Sequence, residues 1–409
     1  MSLSAPRPQP LGVLPWPAGM LLLPDVPGSA EVADALVTGR EPVSWPAGLD
    51  HVRHALDGDL EAAVASISGD DVVARYNRAV LVGGHGVWEA LDAETDGELR
   101  ALVRTAAYSV GVLDEPPSPE GTTGEVSALV DSARASAAIE HGDVSAAVAL
   151  LGDAADTAFA AGSPLFAASL RLTRADLMRE NLDDAATAAR EADIAIRSLP
   201  LTAPSELRAE LQVARALSRQ MLAGTDRGAL LAVVADLTEA VKVLREDTHP
   251  ELFAVVNRQL ALAYLMMPMS DDGDRIRLGV AVTSLRAALR VFTPETHPAE
   301  WASTQLNLAN ALQYLPSVHQ ADNLDEAVQL YEEVLQHRDV ARDPLGVARV
   351  LTNQGNALGH LGAIDDAEER LGRARELFAA GGDLEGVATV DELLAEVAQA
   401  GARQAGTAR

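Results

Sequence analysis

One short pattern near the middle of the chain returns twice, and that recurrence constrains the fold more than any other feature. His249-Pro250-Glu251 opens a segment, His297-Pro298-Ala299 opens the next 48 positions later, and Asp343-Pro344-Leu345 opens a third 46 positions after that. Inside the segments the same columns recur without gaps: Gln259 to Tyr264, Asn307 to Leu312 and Asn353 to Leu358. A second set follows, with Ala281, Leu285 and Ala288 matched by Ala327, Tyr331 and Val334 and then by Ala367, Leu371 and Ala374. A looser earlier copy holds Ala214 to Leu217, then Leu237 and Ala240. These spacings of three and four residues predict paired helices. The small residue of each first helix (Ala261, Ala309, Gly355) lets a second helix approach, and Ala281, Ala327 or Ala367 packs into the space. Large residues between them wedge against the adjacent segment, so no segment buries its apolar face alone.

The remaining pattern is also helical. Val52, Leu56, Leu60, Val64 and Ile67 fall at helical intervals, followed by Val72 to Val82, with breaks at Gly83-Gly84 and near Asp96-Gly97. Further helical runs span Val130–His141, Val144–Ala161, Pro164–Arg179 and Leu182–Leu199. Between them, the turns His141 to Asp143 and Glu180 to Asp183 supply stops and caps. Seven prolines in the first 27 residues, from Pro6 to Pro27, prevent a helix there, while Trp16 and Leu21–Leu23 predict an arm that packs onto the body. We therefore expect an all-α superhelical solenoid of helical hairpins with a helical N-terminal region. The divisions are a proline-rich arm (1–28), the helical region (29–113), a linker (114–125), degenerate hairpins (126–202), regular hairpins (203–400) and a flexible tail (401–409).

Here the sequence resembles a known family. Leu306 to Leu312 lies close to the first-helix consensus of tetratricopeptide repeats, and the interval from Gly355 to Ala367 equals the spacing in that repeat. The His-Pro openings, and Thr293 to Gln305 in particular, look like the longer kinesin-light-chain-like bacterial variety. The other two units carry extended connections at Met267–Arg275 and Pro316–Asn323. The likeness covers about residues 203–385 well and 126–200 weakly, and residues 1–113 resemble nothing familiar.

That resemblance implies a groove lined by the first helices that receives a peptide or helix of a partner. The matching positions are Arg258, Leu262, Asn307, Asn310, Gln313, Arg349, Asn353, Asn356 and His360. Asparagine suits the task because its amide both donates and accepts, though the same amides equally serve to tie neighbouring helices together. Some members grip a C-terminal carboxylate with a five-residue clamp. Arg258, Asn307 and Arg349 occupy three of its places, but Leu262 and Asn353 stand where an Asn and an Arg should be, which argues against the clamp.

Composition removes most other functions. With 60 acidic and 32 basic residues the formal charge is −28, a field that repels phosphate backbones and anionic lipid. All basic residues but Lys242 are arginine. The chain has no cysteine, so disulfides, thiolate metal sites and cysteine nucleophiles are excluded. No phosphate loop, His-Glu-x-x-His or Gly-x-Ser-x-Gly motif occurs. Gly83-Gly-His-Gly86 reads as a helix–helix turn, and Asp271-Asp-Gly-Asp274 lacks the later ligands of a calcium loop. His51 and His54 could share a helix face for a metal, but an idle surface pair is the plainer reading. His249 and His297 read as capping or packing residues, and Trp301 as core, while Trp16, Trp45 and Trp88 pack the N-terminal segment.

The expectation is a cytoplasmic, non-catalytic interaction scaffold, an adaptor or dedicated chaperone, with a protein or peptide partner. It needs no cofactor, metal, nucleic acid or membrane, and a homodimer stays open. The alternatives are the peptide- or ligand-sensing part of a bacterial regulatory system, and an enzyme built on residues 1–113.

Overall fold

The structure, a computed structural model, describes residues 16–268, 274–315 and 319–407. Pro6 to Pro15 and Asp271 to Gly273 of the acidic loop lie outside the described residues, as do residues 316–318 of the second extended connection. The described chain is helical throughout, with no strand among the described residues. No helix among them is long and apolar enough to cross a membrane. The chain separates into two compact units, Met1–Leu222 and Ala223–Arg409.

The first unit begins with a 3-10 turn, Ala18–Met20. Six helices follow: α1 (Ser29–Val37), α2 (Asp50–Leu56), α3 (Leu60–Ser66), α4 (Val72–Val82), α5 (His85–Glu94) and α6 (Gly97–Ser109). The glycine pair does form a helix–helix turn, with Gly83 closing α4 at φ 76°. Longer helices come next: α7 (Gly124–Glu140), α8 (Val144–Ala160), α9 (Pro164–Asn181), α10 (Ala185–Ser198) and α11 (Ser205–Ala223), which ends at the division. Short turns make α7 to α10 neighbours in sequence and in space. One apolar cluster runs from Ala18 to Leu170, with members on both sides of residues 114–125.

Aspartates start many of these helices. Asp59, Asp71, Asp143 and Asp184 each accept a backbone N–H of the first turn at 3.0 Å. A carboxylate there meets donors with no partner inside the helix and the positive end of its dipole, so part of the acidity has a structural use. The cap of α10 falls one residue later than the turn pattern predicts, because Asp183 takes a left-handed φ of 53° and leaves Asp184 to open the helix.

The arm from Trp16 packs onto this unit. Leu21, Leu22 and Leu23 are buried, whereas Trp16 is half-exposed. Extended buried backbone needs partners for its polar groups. Asn77 on α4 supplies both for Leu22: its Oδ1 accepts the Leu22 N–H at 2.8 Å and its Nδ2 donates to the Leu22 carbonyl at 2.8 Å. That Nδ2 also lies 3.1 Å from Nε2 of His51. Trp88 is buried edge-on to Tyr76, with ring centroids 6.2 Å apart, and Trp45 is half-buried against the same cluster.

The second unit contains α12 (Arg227–Ala240), α13 (Pro250–Met266), α14 (Asp274–Ala288) and α15 (Pro298–Tyr314). It continues with α16 (Gln320–His337), α17 (Pro344–Leu361), α18 (Ile364–Gly381) and α19 (Leu384–Thr407). Each helix packs on its sequence neighbour, giving the hairpins α13–α14, α15–α16 and α17–α18. The predicted small columns are where they touch: Ala261, Ala309, Ala281, Ala327 and Ala367 are all fully buried. A Cβ placed on Gly355 would sit 2.7 Å from Cγ of Leu371, so this crossing is tighter than the others permit. Trp301 is core, packed against the His337 ring at 4.7 Å.

The three corners that open α13, α15 and α17 share one backbone conformation. His249 has φ −139° and ψ 61°, His297 −138° and 64°, and Asp343 −136° and 62°. Neither histidine caps through its side chain; each ring nitrogen Nδ1 lies 2.9 Å from the preceding threonine hydroxyl. Proline at the next position presets the helical φ and has no N–H to satisfy, so a capping side chain is dispensable. Asp343 does cap, accepting the Gly346 N–H at 2.9 Å. Asp383 does the same for Gly386 at 2.9 Å, which makes α19 the first helix of a further unit. α19 runs to Thr407, through the segment where the sequence predicts a flexible tail. Gly401 permits this by lying against Ile364 of α18, 3.1 Å from where its Cβ would be.

Candidate functional site

Successive first helices of the second unit touch one another: α13 meets α15, α15 meets α17, and α17 meets α19. They therefore form one wall, with the predicted site residues distributed along it. Arg258 is on α13, Asn307, Asn310 and Gln313 on α15, and Arg349, Asn353, Asn356 and His360 on α17. Burial sorts them into distinct environments.

Asn310 is engaged inside the protein. Its Oδ1 accepts from the Tyr331 hydroxyl of α16 at 2.6 Å and from Nδ2 of Asn353 at 3.1 Å, joining three helices. Tyr331 is fully buried, and burial, helped by Tyr314, pushes its phenol above the ordinary range, so it acts as a neutral donor. Gln313 lies behind the wall. It is buried, its Oε1 faces the Tyr331 hydroxyl at 3.3 Å, and its backbone carbonyl accepts from Gln320 at 3.1 Å.

Asn307 and Asn356 differ. Both are half-buried, and among the described residues neither makes a side-chain hydrogen bond. Arg349 and His360 are exposed. Arg258 is half-buried, with its guanidinium carbon 5.4 Å from the centre of the buried Phe292 ring. Its Nε is buried without a hydrogen-bond partner. Burial pulls the guanidinium below its ordinary value, and the Glu300 charge only partly offsets this.

A cleft of ≈ 360 Å³ opens between α17 and α19. Arg349, Thr352 and Asn353 line one side, Asp383, Glu385 and Thr389 the other, and Phe378 contributes an aromatic surface. Gly386 makes room for that ring, since a Cβ there would lie 2.5 Å from it. The sequence reading missed this far side because α19 was not paired with the earlier first helices. The signal was present: Asp383 and Gly386 repeat Asp343 and Gly346 at an interval of 40 residues.

The first unit has a cleft of its own, ≈ 410 Å³, lined by Glu31, Asp34, Arg40, Glu41 and Ser44 beside α1, in which Arg40 pairs with Asp34. His51 and His54 do not form a surface pair, because His51 is buried beneath the arm and its Nε2 faces Asn77. Among the described residues no group of three His, Asp or Glu side chains is arranged to hold a metal ion. A further feature invisible in the sequence is the buried Glu191 of α10, bound to Arg171 at 2.5 Å and Arg174 at 2.7 Å from α9.

No family model matches the sequence, and no curated protein matches it either. Solved structures do align with the fold. The apo form of RapI aligns over 86% of this chain and 92% of its own, at 10% identity and TM-score 0.41. A Rap protein complexed with competence and sporulation factor aligns over 87% and 93%, at 14% identity and TM-score 0.37. The TPR2AB domain of yeast Sti1, in complex with pHSP90, aligns over 67% of this chain and all of its own, at 15% identity and TM-score 0.27.

Proposed function

We propose that this chain is a non-catalytic interaction scaffold that receives a peptide or helix of a protein partner along the wall of α13, α15, α17 and α19. One observation carries the reading: Asn307 and Asn356, on adjacent first helices, have amides without partners among the described residues. An amide of this kind pairs with the N–H and C=O of an extended chain, which is what a peptide offers at every residue. Such a wall presents positioned hydrogen-bonding groups, whereas catalysis needs a nucleophile or base beside an orienting group. The Thr-His-Pro corners and the long connections support reading the array as the longer kinesin-light-chain-like variety of tetratricopeptide repeat. We keep the division of residues 1–400 as part of the same proposal, with α19 continuing to Thr407, the regular hairpins as the binding segment and an adaptor or dedicated chaperone as the role.

The test uses Asn307→Ala with Asn356→Ala in the full chain. Asn310→Ala is a poor probe because it strips a partner from the buried Tyr331 hydroxyl. Wild type and double variant are used as baits in host lysate, and the affinity of any captured partner is then measured with purified protein. Helicity should be unchanged and affinity reduced by roughly fivefold or more, from roughly 0.5–1.5 kcal/mol per lost hydrogen bond at two amides. Equal affinity with equal helicity refutes the assignment. A peptide or small molecule that shifts the amide exchange of the wall, with no protein retained, would favour the sensing alternative.

A further inference from the structure

The chain has 60 acidic residues for 32 basic ones, so a cation left without a counter-ion has to be accounted for. Among the described side chains, Lys242 and nearly every arginine form an ion pair or a hydrogen bond. Two arginines form neither: Arg258 on α13 and Arg349 on α17. Both lie on the wall of first helices.

Resting on the scaffold reading above, we infer that the received segment is acidic at two places, with one Asp or Glu side chain over Arg258 and a second over Arg349.

Arg258 carries the argument. Other deeply set arginines have partners: Arg171, Arg174, Arg179 and Arg215, at 12%, 22%, 15% and 15% side-chain exposure, each touch a carboxylate, and the half-buried Arg208 donates to the Pro200 carbonyl. Withdrawing a cation from water without a counter-ion is unfavourable. Arg258 feels the Glu300 charge but forms no ion pair with it, and it is held with its guanidinium carbon over the Phe292 ring and its Nε buried. Stacking covers the face of a guanidinium and leaves its hydrogen-bonding edge, which matches a carboxylate through two parallel bonds. Arg349 stands in the cleft opposite Asp383 and Glu385 without pairing to either.

A single chain end would supply a carboxylate to one of these positions, so occupying both requires at least one side chain, and a segment that runs on past the wall requires two. Contacting helices lie about 8–10 Å apart. α13 and α17 are separated by α15 alone, which places the two arginines roughly 20 Å apart. An extended strand advances about 3.3 Å per residue. The acidic side chains should therefore be about five or six positions apart. Because the chain as a whole is strongly negative, an acidic segment is slowed on approach and held only by these local groups.

The experiment probes the purified full-length protein with an array of random dodecapeptides, each anchored through its C-terminus. Selected sequences are then made N-acetylated and C-amidated for fluorescence anisotropy. Binders should be enriched in Asp or Glu pairs at that interval. Arg258→Gln and Arg349→Gln should each weaken binding roughly tenfold or more, and Gln in place of the matching acid should add no further loss. Arg258→Lys keeps the charge but not the fork and should fall between, with urea midpoints showing that the variants fold. Binders that are lost in the Asn307→Ala, Asn356→Ala variant, show no acidic bias and ignore Arg258→Gln would overturn the inference while sparing the scaffold reading. Affinity that appears only with a free C-terminal carboxylate would overturn the side-chain assignment. An array with no binder sensitive to any wall substitution would remove both.

Discussion

Adding one methyl group at Gly355 and at Gly372 should move stability in opposite directions. Both glycines lie inside helices, Gly355 in α17 and Gly372 in α18. In each case alanine gains about 1 kcal/mol of helix propensity, because glycine loses more backbone freedom on folding. At Gly372 nothing lies within 4 Å of the added carbon, so the variant should be more stable by about that amount. At Gly355 the carbon would meet Leu371 at 2.7 Å (Cγ) and 3.0 Å (Cδ2), and the Ala367 carbonyl oxygen at 3.3 Å. The Cγ atom is the branch point of a fully buried side chain, so the whole leucine must move. Overpacking of this kind costs about 1–3 kcal/mol. The shared propensity gain cancels between the two variants, and their difference isolates the packing cost at about 1–3 kcal/mol. Urea unfolding followed by circular dichroism measures the difference, and amide exchange of α17 and α18 localises it. Equal shifts in the same direction would show that Leu371 does not fill the space beside Gly355. The small-residue explanation of this crossing would then fail.

Three further outcomes follow from the first unit. Asn77→Leu removes both partners of the buried Leu22 backbone and should destabilise by roughly 2–6 kcal/mol, counting about 1–3 kcal/mol for each group left unsatisfied, with early amide exchange at Leu21–Leu23 as the local sign. Burial holds the His51 imidazole below its ordinary value of 6.5, against the opposing backbone bonds to Leu22 and Gly48 and the Asp50 charge. The unfolded chain therefore takes up a proton that the folded one resists, and stability should fall as pH drops through 6.5 until the folded histidine itself titrates. Urea midpoints across that range should lose this component in His51→Gln, and an unchanged pH dependence would refute the assignment. Glu191→Ala leaves Arg171 and Arg174 without their shared carboxylate and should cost about 3 kcal/mol, measured by thermal or urea unfolding.

The hairpins of the second unit were legible because close helix crossings restrict residue type at fixed intervals, as at Ala261 and Ala281. The proline corners were legible for the same reason. α19 was not, since its opening Asp383 lacks the proline and its interval is shorter than those between the other units. In the first unit the breaks at Gly83-Gly84 and Asp96-Gly97 stood out as turn chemistry. The bond between Asn77 and Leu22 joins residues 55 apart, and a single long-range pairing leaves no periodic trace. Among the candidate site residues, Asn310 and Gln313 were assigned to a groove by the resemblance of the repeats. Their environment depends on Tyr331 of another helix, which engages both. That Arg258 makes no ion pair is likewise a property of its surroundings in space.

The uniform corners make the array a chain of interchangeable joints. His249, His297 and Asp343 adopt the same dihedrals although they are not all the same residue, and each is followed by a proline that opens the helix. A hairpin can then be treated as a cassette. Excising residues 250–297 joins His249 to Pro298, recreating the junction that was cut. Such a protein can be lengthened or shortened by whole hairpins through duplication or loss of its coding segments, and the length of its wall of first helices becomes a quantity that evolution, or an engineer, adjusts in discrete steps.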